Sequence, residues 1–241
     1  MPIKIKLPIQ DVNIKTKGKI IEIEGTDCSF KETNSIALYN YIKENITDKV
    51  LIYHFPNYTS SSSNEVKQLL NGKIKADIPT SIFFFALDRY RTLINEDSNN
   101  KNIYDYLEEG YYIILDRYIG SNYIYQAYNN NFNDYDQEME RIIDTIEYDC
   151  FQLPESDIVI ALASEYDVIK EKMIKRRKNN GIEKDIYEED EQRMRRSYES
   201  LLFFANRYNW NLIYVTEDEK PKSSDDIFNN ILKILNDKLI L

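Results

Sequence analysis

The feature that most constrains this chain is an alternation. Short runs rich in β-branched and aromatic residues recur at 19–24, 50–54, 111–115, 157–162 and 211–215. Between them lie longer stretches with helical spacing. Leu38, Ile42 and Ile46 fall at i, i+4 steps within 33–46, and Tyr166, Ile169 and Met173 at i, i+3, i+7. Met194, Tyr198, Leu201, Leu202, Ala205 and Tyr208 form a further stripe, and Pro79 stands where a long helix starts. Strands joined by crossovers of about ten residues or more pair in parallel, with right-handed connections. The pattern therefore predicts an α/β fold of three layers, a five-stranded parallel sheet flanked by helices. One such domain accounts for 19–241, preceded by a disordered or loosely attached arm over 1–18.

Composition excludes several classes of function. The chain has 31 Lys+Arg against 41 Asp+Glu, a formal charge of −10, which argues against a broad basic face for nucleic acid. The longest apolar run, 82–87, is far short of the roughly 18–20 residues that span a membrane. No apolar core or cleavage site marks the first residues as a secretory signal. Two cysteines, Cys28 and Cys150, build neither a disulfide framework nor a thiolate metal site, which suits a reducing cytoplasm. A single histidine, His54, rules out chemistry that needs two.

Five segments could carry chemistry. In IIEIEGTDCSFKET (20–33) a strand leads to Gly25, Lys31 follows six residues later, and a helix begins. That is the layout of a loop whose inward backbone N–H groups and lysine hold phosphates, although an ordinary strand–turn–helix accounts for it as well. Phe30 stands where the second glycine of the usual pattern belongs, and Glu32 where a metal-binding hydroxyl belongs, with Thr33 one place later. Phe55-Pro56 closes the second strand. Phe85 and Arg89, at i and i+4, share a helix face, so a flat ring lies beside a guanidinium fork suited to a nucleobase. Asp116-Arg117 sits at the carboxyl end of a strand, where open α/β sheets bind ligands. The cations at 175–178 belong either to a solvated helix face or to a lid over about 176–190 that closes on a polyphosphate.

Taken in order, these segments resemble the thymidylate kinase family, P-loop nucleoside-monophosphate kinases. The loop pattern G-x-D-x-x-G-K-x-T is similar to Gly25-Thr26-Asp27-Cys28-Ser29-Phe30-Lys31-Glu32-Thr33, and F-x-x-x-R is similar to Phe85 and Arg89. D-R-Y matches Asp116-Arg117-Tyr118, and S-x-x-x-Y-Q matches Ser121 to Gln126. The resemblance covers about 19–238. It implies transfer of a phosphoryl group from ATP to dTMP, with Mg²⁺ as cofactor. It assigns the donor phosphates to the loop from Gly25 to Thr33, led by Lys31, and the metal to Thr33 and Asp116. It assigns the acceptor to Asp27, Phe55, Pro56, Phe85, Arg89, Arg117, Ser121, Tyr125 and Gln126, with Arg117 on the monophosphate. Arg176 and Arg177 become lid residues reaching the transferred group. A cytoplasmic homodimer with no nucleic-acid or membrane partner completes the expectation. Two alternatives stay open: a homologue that binds nucleotide with little or no catalysis because Phe30 replaces a glycine, and a deoxynucleoside kinase.

Overall fold

A computed structural model describes residues 17–241 except 96, 128–135, 166, 169, 171–190 and 219. The expected lid at 176–190, with Arg176 and Arg177, lies outside the described residues, as do Tyr166, Ile169, Met173 and most of the arm. Five strands form the main sheet: β1 (Lys19–Gly25), β2 (Val50–His54), β3 (Tyr112–Asp116), β4 (Ile158–Ala163) and β5 (Asn211–Tyr214). They run parallel in the order β2-β3-β1-β4-β5, the predicted sheet with β1 at its centre. A small antiparallel pair, Thr216–Glu217 with Lys220–Pro221, follows.

Side chains of a strand alternate between faces, and β1 shows what that does here. Ile21 and Ile23 pack with Leu38 and Ile42 of α1 (Lys31–Asn45), and with Ile227, Ile231 and Leu235 of the C-terminal helix Ser224–Asp237. On the opposite face Ile20 joins a cluster with Ile82 and Leu93 of α3 (Ile78–Leu93) and Phe204 of the helix Glu191–Arg207. Asp77 caps α3 by accepting from Thr80 N at 2.9 Å, and Pro79 lies in its first turn, as the sequence suggested. Two short helices, α2 (Asn64–Leu70) and α4 (Ile103–Glu108), flank α3 along the chain. The same face holds α5 (Ile119–Gln126), which starts three residues after β3 ends and so carries its first turn straight to the sheet's carboxyl edge. Just before β1, Gly18 N donates to Leu107 O at 2.8 Å.

Candidate active site

The carboxyl ends of β1, β2 and β3 converge on one place. From β1 the chain turns at Gly25, where a Cβ would lie 2.5 Å from both Leu162 O and Ser29 Oγ. Only glycine lets the loop approach β4 so closely. Thr26 Oγ1 then donates to Ser164 O at 3.1 Å, tying the loop to the end of β4. Cys28 and Phe30 both adopt left-handed backbone, with φ of 58° and 67°. Phe30 stands at the N-cap of α1, just before Lys31.

Lys31 is buried, and its Nζ donates to Thr26 O and, at 3.5 Å, to Ser29 Oγ. The ammonium thus lies within the curve of its own loop. Burial, then the nearby Arg117, push it down to about 8, while Asp27, Asp116 and Glu24 work in the other direction. Glu32 and Thr33, in the first turn of α1, are exposed.

β3 delivers Asp116 and Arg117. Asp116 Oδ2 lies 2.9 Å from His54 Nδ1, and Oδ1 is buried with no hydrogen-bond partner. That bond holds the imidazole above the usual histidine range. Arg117 has left-handed backbone, φ 64°, and its N–H donates to Ile23 O at 3.0 Å. Its guanidinium pairs with Asp27, donates to Tyr125 Oη at 3.3 Å and lies over the Tyr125 ring. The loop from β1 and the turn from β3 therefore meet through an ion pair.

The remaining residues named from the sequence divide in two. Phe55 is buried against Tyr118, its N–H donates to Asp116 O at 3.0 Å, and the Phe55–Pro56 peptide is cis. The Phe-Pro loop is tied to α3 through Asp88, which accepts from Asn57 N at 2.9 Å and Ser62 Oγ at 2.6 Å. Phe85 is half-buried on α3. Arg89, on the same helix, is 2% exposed and is held by a fork of bonds to buried Glu147, with Nε to Oε2 at 3.1 Å. Ser121 Oγ donates to Glu24 Oε2 at 2.8 Å, so it faces β1. Tyr125 touches Arg117, and Gln126 is buried.

Sequence reasoning passed over four participants. Glu147 gives no sequence signal, being one acid in a polar stretch. His54 stands in the sequence only as a lone histidine. Glu22 and Glu24 did carry a signal: two acids on the same side of an otherwise apolar strand, both buried here.

The family model for thymidylate kinase matches residues 23–227, from the middle of β1 into the C-terminal helix. The chain belongs to the thymidylate kinase family. A thymidylate kinase of Prochlorococcus marinus is 30% identical over 232 residues, which cover 92% of this chain and all of that protein. One of Caldicellulosiruptor saccharolyticus is 37% identical over 111 residues, 46% of this chain and 50% of that protein. Among solved structures, thymidylate kinase from Candida albicans superposes with a TM-score of 0.68 at 22% identity, covering 91% of each chain. The enzyme from Ehrlichia chaffeensis gives 0.62 at 18% identity, over 90% of this chain and 98% of that one. These likenesses extend the agreement in fold over nearly the whole length. As a thymidylate kinase the chain is a nucleoside-monophosphate kinase, transferring a phosphoryl group from ATP to dTMP. No helix among the described residues is long and apolar enough to cross a membrane.

Proposed function

We propose that residues 25–33 cradle the phosphates of ATP and that the turn from β3 holds dTMP against them. The observation carrying this reading is the Arg117–Asp27 ion pair, which brings a guanidinium beside the buried ammonium-bearing loop. Phosphoryl transfer demands mainly alignment and neutralisation of charge. Lys31 supplies a positive charge on the donor side and Arg117 one on the acceptor side, binding the monophosphate in bidentate fashion. Asp27 accepts from the acceptor's sugar hydroxyl, Phe85 stacks on thymine, and Arg89 donates to its edge. Phe55 and Pro56 wall the acceptor, while Tyr125 and Gln126 line it. Ser121 supports that wall through Glu24.

Mg²⁺ fits this donor set. Such a site needs only one or two carboxylates when the substrate's phosphates complete the coordination, and Asp116 Oδ1 is a buried carboxylate oxygen without a protein partner. Asp116 would hold the ion together with Thr33, and the ion would supply neutralisation of the phosphates' charge. Arg176 and Arg177 of the lid, about 176–190, close over the transferred group, and residues 1–18 form an arm outside the catalytic domain 19–241. The protein works in the cytoplasm as a homodimer.

Release of ADP from ATP plus dTMP, followed in a coupled assay, tests the reading. Turnover with dTMP well above that with dCMP or dAMP supports it; dTMP binding without turnover would reduce the chain to a nucleotide-binding homologue.

A further inference from the structure

The first turn of α5 rests on β1 through backbone and side-chain acceptors. Ile23 O takes Arg117 N–H at 3.0 Å, and Glu24 Oε1 takes Tyr118 N–H at 2.7 Å. Glu22 Oε1 takes Gly120 N–H at 3.0 Å, while its Oε2 takes Ser156 Oγ at 2.6 Å. Both carboxyls are buried, at 4% and 0% exposure. Gly120 is what allows the fit. A Cβ there would lie 2.8 Å from Glu22 Oε1 and 2.8 Å from Glu24 Cγ, with Trp210 closing the third side at 3.1 Å. The helix therefore lies with its bare Cα on two carboxyl groups. Arg117 precedes this turn and is held in left-handed backbone, so where the turn sits decides where the guanidinium points.

We propose that Glu22 is a positioning residue for the acceptor: by holding Gly120 N–H it fixes the turn that aims Arg117 at the monophosphate. This rests on the reading of Arg117 as the acceptor's phosphate ligand. Glu22 accepts from Gly120 and Ser156, both outside the phosphate loop, which separates its role from that of Lys31. Its surroundings also make the role responsive to pH. Burial, and next the charge of Glu24, push Glu22 up to about 8, against the bonds from Ser156 and Gly120. Around the pair stand Arg117 and Tyr118 from the turn, Lys31 from α1 and Tyr148 from the segment after α6 (Gln137–Asp144). Below about 8 Glu22 keeps its proton; above it a carboxylate forms in this buried place beside Glu24.

The test is dTMP binding by calorimetry, with KM for dTMP and for ATP, in the wild type, Glu22→Ala and Glu22→Gln. Glu22→Ala leaves a buried N–H without its acceptor and is expected to weaken dTMP about tenfold with KM for ATP within about twofold. Glu22→Gln keeps an oxygen for Gly120 and is expected to return dTMP affinity to within about twofold at pH 7. From pH 7 to 9 dTMP affinity should fall in the wild type and fall less in Glu22→Gln. Should Glu22→Ala not fold, the Gln variant's pH profile and Gly120→Ala, which pushes the turn off the carboxyls, decide. The inference is overturned if wild-type dTMP affinity survives in Glu22→Ala, if KM for ATP rises equally, if Glu22→Gln shows the wild-type pH profile, or if Gly120→Ala binds dTMP normally. A wild type that does not bind dTMP overturns the acceptor reading itself, and the inference with it.

Discussion

Cys28 and Phe30 hold left-handed backbone that side chains other than glycine's resist by about 1–2 kcal/mol each. Phe30 gains something in return, because its ring packs beside the core cluster of α1 and the C-terminal helix. Comparing Phe30→Ala with Phe30→Gly separates the two effects: both lose the ring, and only glycine removes the strain. We expect the glycine variant to be more stable than the alanine variant by about 1 kcal/mol in chemical denaturation, and to bind ATP more tightly than the wild type. Equal stabilities would show the loop to be relaxed as it stands. The sequence announced Phe30 by its place before Lys31, whereas nothing in the letters marked Cys28, whose φ depends on the path the loop takes round the lysine. Lys31 carries a second prediction. With its ammonium down at about 8, the free enzyme has largely lost that charge by pH 8.5, and bound phosphates restore it. ATP binding at that pH should therefore take up a fraction of a proton, measurable as a dependence of calorimetric heat on the buffer's ionisation enthalpy. Lys31→Arg, which keeps its charge, should show none.

Elements meet at the buried group formed by Arg89 of α3, Glu147 and Asn122 of α5, where Asn122 Nδ2 donates to Glu147 Oε1 at 2.7 Å and to Ile82 O at 3.3 Å. Glu147 lies on a wide turn, Thr145–Cys150, continuing α6. Removing one partner of a buried pair strands the other, so Glu147→Ala should cost about 3–5 kcal/mol of stability by denaturant titration, and Glu147→Gln clearly less. Because the same carboxylate orients Arg89, Glu147→Gln should also narrow the preference for dTMP over dCMP. A variant with unchanged discrimination would detach Arg89 from thymine recognition. This group shows where the sequence stops being readable. The five strands and the helices α1 and α3 were legible because apolar spacing persists over several turns or a whole strand. The segments Asn64–Leu70, Ile103–Glu108 and Gln137–Asp144 escaped, being too short for a period to emerge. Asp116 and Arg89 were legible as motif residues, but their partners His54 and Glu147 come from elements 62 and 58 residues away. Only the folded chain brings such pairs together.

At the scale of the molecule, the outer side of α3 exposes 41% of Phe83, with Phe84 and Phe151 centred 6.5 and 5.8 Å from its ring. If that side forms the proposed homodimer, light scattering at micromolar concentration gives twice 28.7 kDa, and Phe83→Asp lowers it to the single mass. A wild type with the single mass would sink the dimer. The strand order has its own consequence. β1 is the innermost strand, clasped by β3 and β4 along its length, and the phosphate loop hangs from its end with anchors to Leu162 and Ser164 beyond. Such a loop is like a casting whose mould is the rest of the protein: the surrounding backbone sets its outline, and beyond Gly25 it holds that outline even where a side chain strains against it. That is how a cradle usually built on glycine can keep its shape with cysteine and phenylalanine in the curve. A strict pattern for the loop's letters fails on such a chain, while the contour of the loop remains recognisable.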